Sequence, residues 1–511
     1  MSDDESAGDG TAPTPTESVW IDTTPETSYD PLSADRRVDV AVVGGGITGL
    51  TAAAELADAG EEVAVVESGH VVEGVTGRTT AKVTAQHGLI YDRLRSTVGD
   101  GLARQYAEAN QRAIEHIAET VERREIECDF GRTPAYTYTD SPDRRDAIAA
   151  EVDAATALGL PASFVEDTPL PFDVEAAIRV DDQARFHPRE YLLALAASID
   201  EAGSHVFERT KALEIERGRL NRVVTDRGTV AAETVVVATH FPILDRRLFF
   251  ARLYPERSYV LAVRASDVPT EGLYYKPGEP MRSLRTHVAG QEDLVLVGGE
   301  AHKTGHGDAP ERYERLERYA RKRFDVEEIP YRWSTQDYST PDRIPFVGRA
   351  GPTSDGILVG TGFGGWGMTN GTAAGRLLAD MALGRPNPYR TVYDPTRFSF
   401  SAVRTALKEN AHVAKEFVTG WTDGLRADAA TPAPGEARVV RHDGRPVGQY
   451  RDEGGELHTV SAVCTHMDCI VDWNDAEKTW DCPCHGSRFD PDGSVLDGPA
   501  VEDLPRRSPR D

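Results

Sequence analysis

The chain of 511 residues, 39% of them hydrophobic, is long enough for about three domains of roughly 150 residues each. Its 84 acidic residues outnumber 57 basic ones, and the net charge of −27 argues against a nucleic-acid partner, whose phosphates attract basic surfaces. Five cysteines, four of them crowded between Cys464 and Cys484, exclude a secreted disulfide scaffold and point to a metal site in an intracellular protein.

Residues 1–37 are acidic and rich in Ser, Thr and Pro, and read as a disordered, solvating tail. They have neither the positive start nor the apolar core of a secretory signal, so a cytoplasmic protein is expected. The longest apolar runs, "TVVVAT" and "VDVAVVGGG", are strand-sized and predict no transmembrane segment. Lysine stands at only eight positions, leaving 49 arginines. Concentrated salt shortens the Debye length to a few ångströms and screens such an acidic surplus, so a salt-rich, halophilic cytoplasm is expected. An ordinary acidic protein of a GC-rich genome is the alternative.

From Val38 to Leu383, strand-like and helical runs alternate as in an α/β domain. In "VDVAVVGGGITGLTAAAELADAGEEVAVVES" a buried-strand run leads into Gly44, Gly46 and Gly49, an Ala- and Leu-rich helix follows, and a second strand ends in Glu67. The first glycine suits the tight turn, the second the approach of a pyrophosphate, and the third close packing of helix on strand. The helix N-terminus favours the pyrophosphate's charge, and Glu67 is placed to accept hydrogen bonds from ribose hydroxyls. Further on, "AAETVVVATHFP" is a strand ending at Ala238 and Thr239, and "GILVGTGFGGWGMTNGTAAGRLLADMALG" is strand, glycine turn and helix. This second helix N-terminus would face another anionic centre, such as the pyrimidine end of a reduced flavin.

Between Ser399 and Trp421, Val403, Leu407, Ala411, Ala414, Val418 and Trp421 recur at helical spacing and predict one face packed on neighbouring domains, or less simply a membrane surface. "RADAATPAPGEAR" reads as a linker, and the last ~75 residues as a small all-β domain. There "CTHMDC" and "CPCHGS" read C-x-H-x15-C-x2-H with one extra cysteine in each box. Two thiolates on one iron and two imidazoles on the other suit a 2Fe–2S cluster. A Cys2His2 zinc site uses the same ligand types and is the alternative.

Residues 38–385 resemble the D-amino-acid oxidase superfamily, which includes the glycine and sarcosine oxidases. Besides the segments above, the resemblance rests on "GVTGRTTAKVTAQHG", "FHPREYL" and "TPDRIPFVG". It implies FAD held by Gly44, Gly46, Gly49 and Glu67, with the backbone of Val206 reading the adenine. It implies Thr79 and Thr80 beside the flavin, and Gly364, Gly365, Gly367, Met368 and Thr369 at its pyrimidine edge. Segments 38–92, 185–245 and 335–385 would form the FAD-binding domain, and 93–184 with 246–334 an interleaved α+β substrate domain. Amines and amino acids are the implied substrates, losing a hydride from the carbon beside nitrogen. Lys82 and His87 follow the flavin-side threonines and are the catalytic candidates, with bracing of the loop as the other role. Trp366 would shape the pocket or pack in the core.

Residues 433–511, after a helical linker over 386–432, resemble a Rieske domain, as "DCPCHGSRFDPDG" and the later "GPA" show. The resemblance assigns Cys464 and Cys482 to one iron, His466 and His485 to the other, and a disulfide to Cys469 and Cys484. Ser487 matches a serine that raises the cluster potential, whereas Phe489 replaces a tyrosine whose hydroxyl does the same. With the second proline after "GPA" also missing, quinol docking is not expected. The expected architecture is thus an α/β Rossmann-like FAD domain with an interleaved α+β substrate domain, then a small all-β Rieske domain. The expected function is oxidation of an amine or amino acid by FAD, with electrons relayed through the cluster to an external acceptor, ferredoxin-like or other. Two alternatives are an NAD(P)H-dependent Rieske ferredoxin reductase and a non-enzymatic redox sensor or electron carrier. The reductase would need a second nucleotide fingerprint, and "LVGGEAHKTG" lacks its spacing. No stretch resembles the two-histidine, one-carboxylate iron site of a Rieske oxygenase.

Overall fold

The computed structural model describes residues 17–507 except 245–247, 290–291, 352–353, 398–399, 423–425 and 428–430. Its first sheet has eight strands. Arg36–Val43 lies at the centre, parallel to Val63–Val66 on one side and Thr229–Val237 on the other. His205–Phe207 and Ile357–Thr361 extend the parallel core. Near-continuous Val and Ala runs make these strands, because helices cover the sheet and leave no polar face. Helices Ile47–Asp58 and Gly367–Ala382 cross closely: a Cβ on Gly375 would stand 2.7 Å from the carbonyl of Thr48.

The second sheet has nine strands and is built mainly from antiparallel pairs. Its long strands are Tyr254–Ala265, Arg282–Ala289, Glu292–Lys303 and Val326–Ser339. Two strands depart from the expected division of the chain: Lys82–Val83 pairs into this sheet, and Val326–Ser339 runs on past residue 334. "LVGGEA", the nearest candidate for a second nucleotide turn, lies within Glu292–Lys303, paired on both sides.

Residues 17–37 are not a disordered tail, although residues 1–16 lie outside the described ones. The Ser18 side chain caps helix Val19–Asp22, and Val19, Trp20 and Ile21 are buried. The Trp20 indole donates to the carbonyl of Thr79 at 2.7 Å. The acidic, Pro-rich composition of the stretch hides this short apolar triplet, which supplies the burial that ordering requires.

Helix Phe400–Thr422 also departs from expectation. Val403 and Leu407 have side chains outside the described residues, but Ala411, Ala414 and Val418 are exposed, Val418 by 58%, while the Trp421 indole donates to the Asp468 carbonyl at 3.1 Å. The packed face carries Asn410, Val413 and Gly420 instead. Val413 joins the core of the last domain, a Cβ on Gly420 would stand 3.2 Å from Ile470, and Asn410 donates to the Ala251 carbonyl at 2.9 Å. Small and polar residues let the backbone approach its neighbours, which apolar periodicity does not register.

The C-terminal region is all β, with two four-stranded sheets. Arg426–Ala427, inside the expected linker, already pairs with Ala437–His442. No helix among the described residues is long and apolar enough to cross a membrane.

Candidate redox sites

A cavity of about 1930 Å³ runs from the Gly44 turn across the second sheet to the C-terminal domain. Gly44 has φ +109°, and a Cβ there would stand 2.5 Å from the Ala238 carbonyl oxygen. A Cβ on Gly49 would stand 1.9 Å from the Gly44 carbonyl, so helix and turn touch through that residue. Gly46, Ala238 and Thr239 line the cavity. Glu67 stands at its rim, accepting from the backbone N–H of Gly45 at 2.7 Å and of Gly69 at 2.9 Å.

Val206 does not reach the cavity; it is buried in strand His205–Phe207, paired with Val65. The chain leaves the sheet through Arg209 and Thr210, whose N–H groups bond the carbonyls of Gly69 and Glu67. That exit brings Lys211 and Ala212 to the cavity wall in place of Val206.

Thr79 and Thr80 line the cavity on a loop whose Ala81 has φ +53°. Such a conformation is costly for a residue with a Cβ and needs fixing from outside. Buried Arg285 provides the fixing, donating to the carbonyls of Thr80 at 3.1 Å, Ala81 at 2.7 Å and Phe186 at 2.9 Å. Trp20, whose ring lies 5.2 Å from the Arg285 guanidinium, also holds the loop through the Thr79 carbonyl. Neither residue was singled out by the motifs; the apolar triplet around Trp20 after a capping Ser18 was the available signal.

Lys82 lines the cavity with a buried amine that donates to Ser283 Oγ and, at 3.3 Å, to Thr80 Oγ1. Burial, then the nearby Arg285 charge, pulls it down to about 7. His87 differs: Nε2 bonds the Thr84 carbonyl at 2.8 Å and Nδ1 bonds the Tyr106 hydroxyl at 2.6 Å. Its ring stacks on Trp366 at 4.8 Å, and burial pushes it down to about 3. His87 also lines the cavity, but with both nitrogens engaged inside the protein its ring braces the loop.

Gly364 and Gly365 turn with positive φ ahead of helix Gly367–Ala382, and with Gly367 and Met368 they line the cavity. Thr369 is buried behind them, its hydroxyl donating to the Thr84 carbonyl at 2.8 Å. The two flavin-side loops are therefore bonded together. Trp366 both lines the cavity and stacks on His87.

In the C-terminal domain two turns face each other. Cys464 and Cys482 are buried free thiols, and Cys469 and Cys484 form a disulfide with Cα atoms 6.5 Å apart. The His466 and His485 rings lie 5.1 Å apart. Burial pushes them down to about 4 and about 3, which keeps both imidazoles neutral. Nδ1 of His485 is buried without a hydrogen-bond partner. Two thiols, two neutral imidazoles and an orphaned ring nitrogen suit a 2Fe–2S cluster with one cysteine pair and one histidine pair. Ser487 Oγ accepts from the Ala500 N–H at 3.0 Å, and Phe489 is buried. The glycine cradle with its two helix N-termini likewise suits FAD.

The histidine edge is not free. Phe241 and Phe250 each lie 6.3 Å from the His466 ring, and Phe250 lies 5.7 Å from His485. Gln336 donates to the Gly486 carbonyl at 2.8 Å, and the Tyr338 hydroxyl donates to the carbonyls of Gly498 at 2.9 Å and His485 at 3.2 Å. His240, in the cavity wall beside Thr239, bonds the Gln336 carbonyl at 3.1 Å. Below this contact Arg257 and Arg488 share Glu477 across the domain boundary.

Residues 39–381 match the model of the FAD dependent oxidoreductase family, and residues 425–507 that of the Rieske [2Fe-2S] domain. The Rieske iron–sulfur protein YhfW of Bacillus subtilis (strain 168) is 41% identical over 492 residues, covering 96% of this chain and 97% of its own. The gamma-glutamylputrescine oxidoreductase of Escherichia coli (strain K12) is 25% identical over 398 residues, covering 74% of this chain and 91% of its own. Glycine oxidase from Geobacillus kaustophilus shares the fold of the first region, with a TM-score of 0.59 at 20% identity over 71% of this chain and 99% of that one.

Proposed function

The chain belongs to the FAD dependent oxidoreductase family and ends in a Rieske [2Fe-2S] domain, and from that premise we propose that it oxidises an amine or amino acid and passes the electrons through the cluster to an external one-electron acceptor. One observation carries the relay. Gln336 lines the cavity and its amide donates to the Gly486 carbonyl of a cluster loop; His240 in the cavity wall bonds the Gln336 carbonyl, and Tyr338, two residues on, donates to the His485 carbonyl. FAD supplies two-electron acceptance from a C–N bond and the cluster supplies one-electron transfer; the chain supplies position and electrostatics.

In this reading the substrate lies between the flavin-side loops and the second sheet, beside Lys82, Tyr275 and Trp366. An amine must give up its ammonium proton before its neighbouring carbon loses a hydride. Lys82, held near neutrality, takes that proton, while Ser283 and Thr80 fix the amine's direction. Arg343 and Arg93 also line the cavity and suit a substrate carboxylate. Phe241 and Phe250 beside His466 and His485 narrow the histidine edge, in keeping with a partner other than a quinol. The reading includes a cytoplasmic site of action in concentrated salt, in keeping with the charge of −27.

The test is an anaerobic titration of the purified protein with a panel of amines and amino acids, NADH being a parallel arm. Bleaching of the flavin band followed by a Rieske-type EPR signal is the expected result with one of the amines. Reduction by NADH alone overturns the amine reading, and a flavin inert to every compound supports a sensor.

A further inference from the structure

Away from both redox sites, three side chains distant in sequence converge where three parts of the chain meet. His306 comes from the loop between strand Glu292–Lys303 and helix Ala309–Arg323. His412 and Glu416 come from helix Phe400–Thr422, one turn apart and so on one face. One ligand atom from each lies within 4.8 Å of the other two.

These groups are not a closed hydrogen-bonded trio. The His412 Nδ1 to Glu416 Oε1 distance is 3.8 Å, beyond hydrogen-bond length, and the two histidine rings are 5.4 Å apart and tilted by 32°. Nε2 of His306 is buried without any partner. A buried imidazole nitrogen left unpaired is costly, and donors within 4.8 Å of one another close onto one ion at about 2.1 Å by small side-chain rotations.

Charge agrees. Glu416 and Asp472 act on His306 from nearby, and the cation among them, Lys303, is 3.7 Å from Glu409. Burial pulls His306 down first, which keeps its ring neutral and able to ligate. We propose that His306, His412 and Glu416 bind one divalent first-row transition metal, the ion class that two imidazoles and a carboxylate select.

Such an ion clips the interdomain helix to the second sheet directly behind the cluster. A Cβ on Gly305 would stand 2.6 Å from the Cα of Pro483, which lies between the cluster cysteine Cys482 and the disulfide cysteine Cys484. Thr304 donates to Gln336 at 2.7 Å, the residue whose amide holds Gly486. The ion thereby fixes the seat of the Rieske domain, independently of which substrate the flavin site takes.

The test uses full-length protein carrying FAD and two irons per chain. Elemental analysis of the protein as isolated is followed by dialysis against a chelator and calorimetric titration with ZnCl2. One metal beyond the cluster's two irons, zinc or a third iron, is expected, with saturable uptake of one zinc and a higher unfolding temperature in its presence. His306→Ala and Glu416→Gln should each weaken zinc binding at least tenfold while the Rieske EPR spectrum and flavin absorbance stay unchanged. The absence of saturable zinc uptake by the parent protein overturns the proposal, without reference to how the variants fold. Uptake unchanged in both variants overturns it equally.

Discussion

Tyr338 and His485 tie the two redox sites into one body. The Tyr338 hydroxyl lies 3.2 Å from the His485 carbonyl, while its own carbonyl accepts from the Gly364 N–H at 3.0 Å. One residue thus touches the Gly364 turn of the cavity wall and the turn that carries His485.

Tyr338→Phe removes the bond to the cluster turn and leaves the buried carbonyls of His485 and Gly498 short of a donor. The cost should be about 1–3 kcal/mol of stability. In stopped-flow experiments, flavin bleaching by substrate should keep its rate while cluster reduction slows by roughly fivefold, as about 1 kcal/mol implies.

Lys82 gives a signed pH dependence. Its folded-state value of about 7 lies below the ordinary 10.5, so between those values the unfolded chain holds more protons than the folded one. Stability should rise with pH across that window by about 1.4 kcal/mol per unit, apart from other groups. Lys82→Met should be more stable than the parent at pH 7, with the difference shrinking toward pH 10 in urea titrations. Substrate oxidation by the parent should rise through about pH 7, and the variant should lose that rise.

Gly49→Ala places a methyl group 1.9 Å from the Gly44 carbonyl, a contact that only separation of helix and turn relieves. The purified variant should carry little or no FAD by absorbance, while any folded fraction retains the cluster's EPR signal.

Trp20→Ala empties a fully buried indole site and frees the Thr79 carbonyl. A loss of about 3–5 kcal/mol is expected by chemical denaturation. FAD should dissociate faster as well, because the left-handed Ala81 turn loses one of its supports.

The charge of −27 predicts a steep salt response. Raising KCl from about 0.2 M to about 3 M should raise the unfolding temperature, because screening removes self-repulsion. A flat or falling curve would remove the case for a salt-rich cytoplasm.

The cofactor-binding patterns were legible because they are local. Gly44, Gly46, Gly49 and Glu67 sit in one strand–turn–helix–strand unit, and the cysteines and histidines in two short turns, so spacing points to a dinucleotide and a metal centre, while the family resemblance specifies FAD and the 2Fe–2S cluster. Composition misled at residues 17–37, where one buried Trp20 outweighs an acidic neighbourhood. Periodicity misled on helix Phe400–Thr422, where Asn410, Val413 and Gly420 make the close contacts while Ala411, Ala414 and Val418 are exposed.

What the sequence determined by itself was which cofactors the chain suits, since a glycine turn or a Cys–His pair is a property of a few adjacent residues. Only the tertiary structure decided what surrounds them. Ala212 in place of Val206 at the cavity wall, the engaged nitrogens of His87, Arg285 beneath the Ala81 turn and Tyr338 against His485 all follow from contacts between distant segments. Such contacts form where buried surface and satisfied hydrogen bonds outweigh the entropy of closing long loops, a sum taken over the whole fold and written in no single stretch of it.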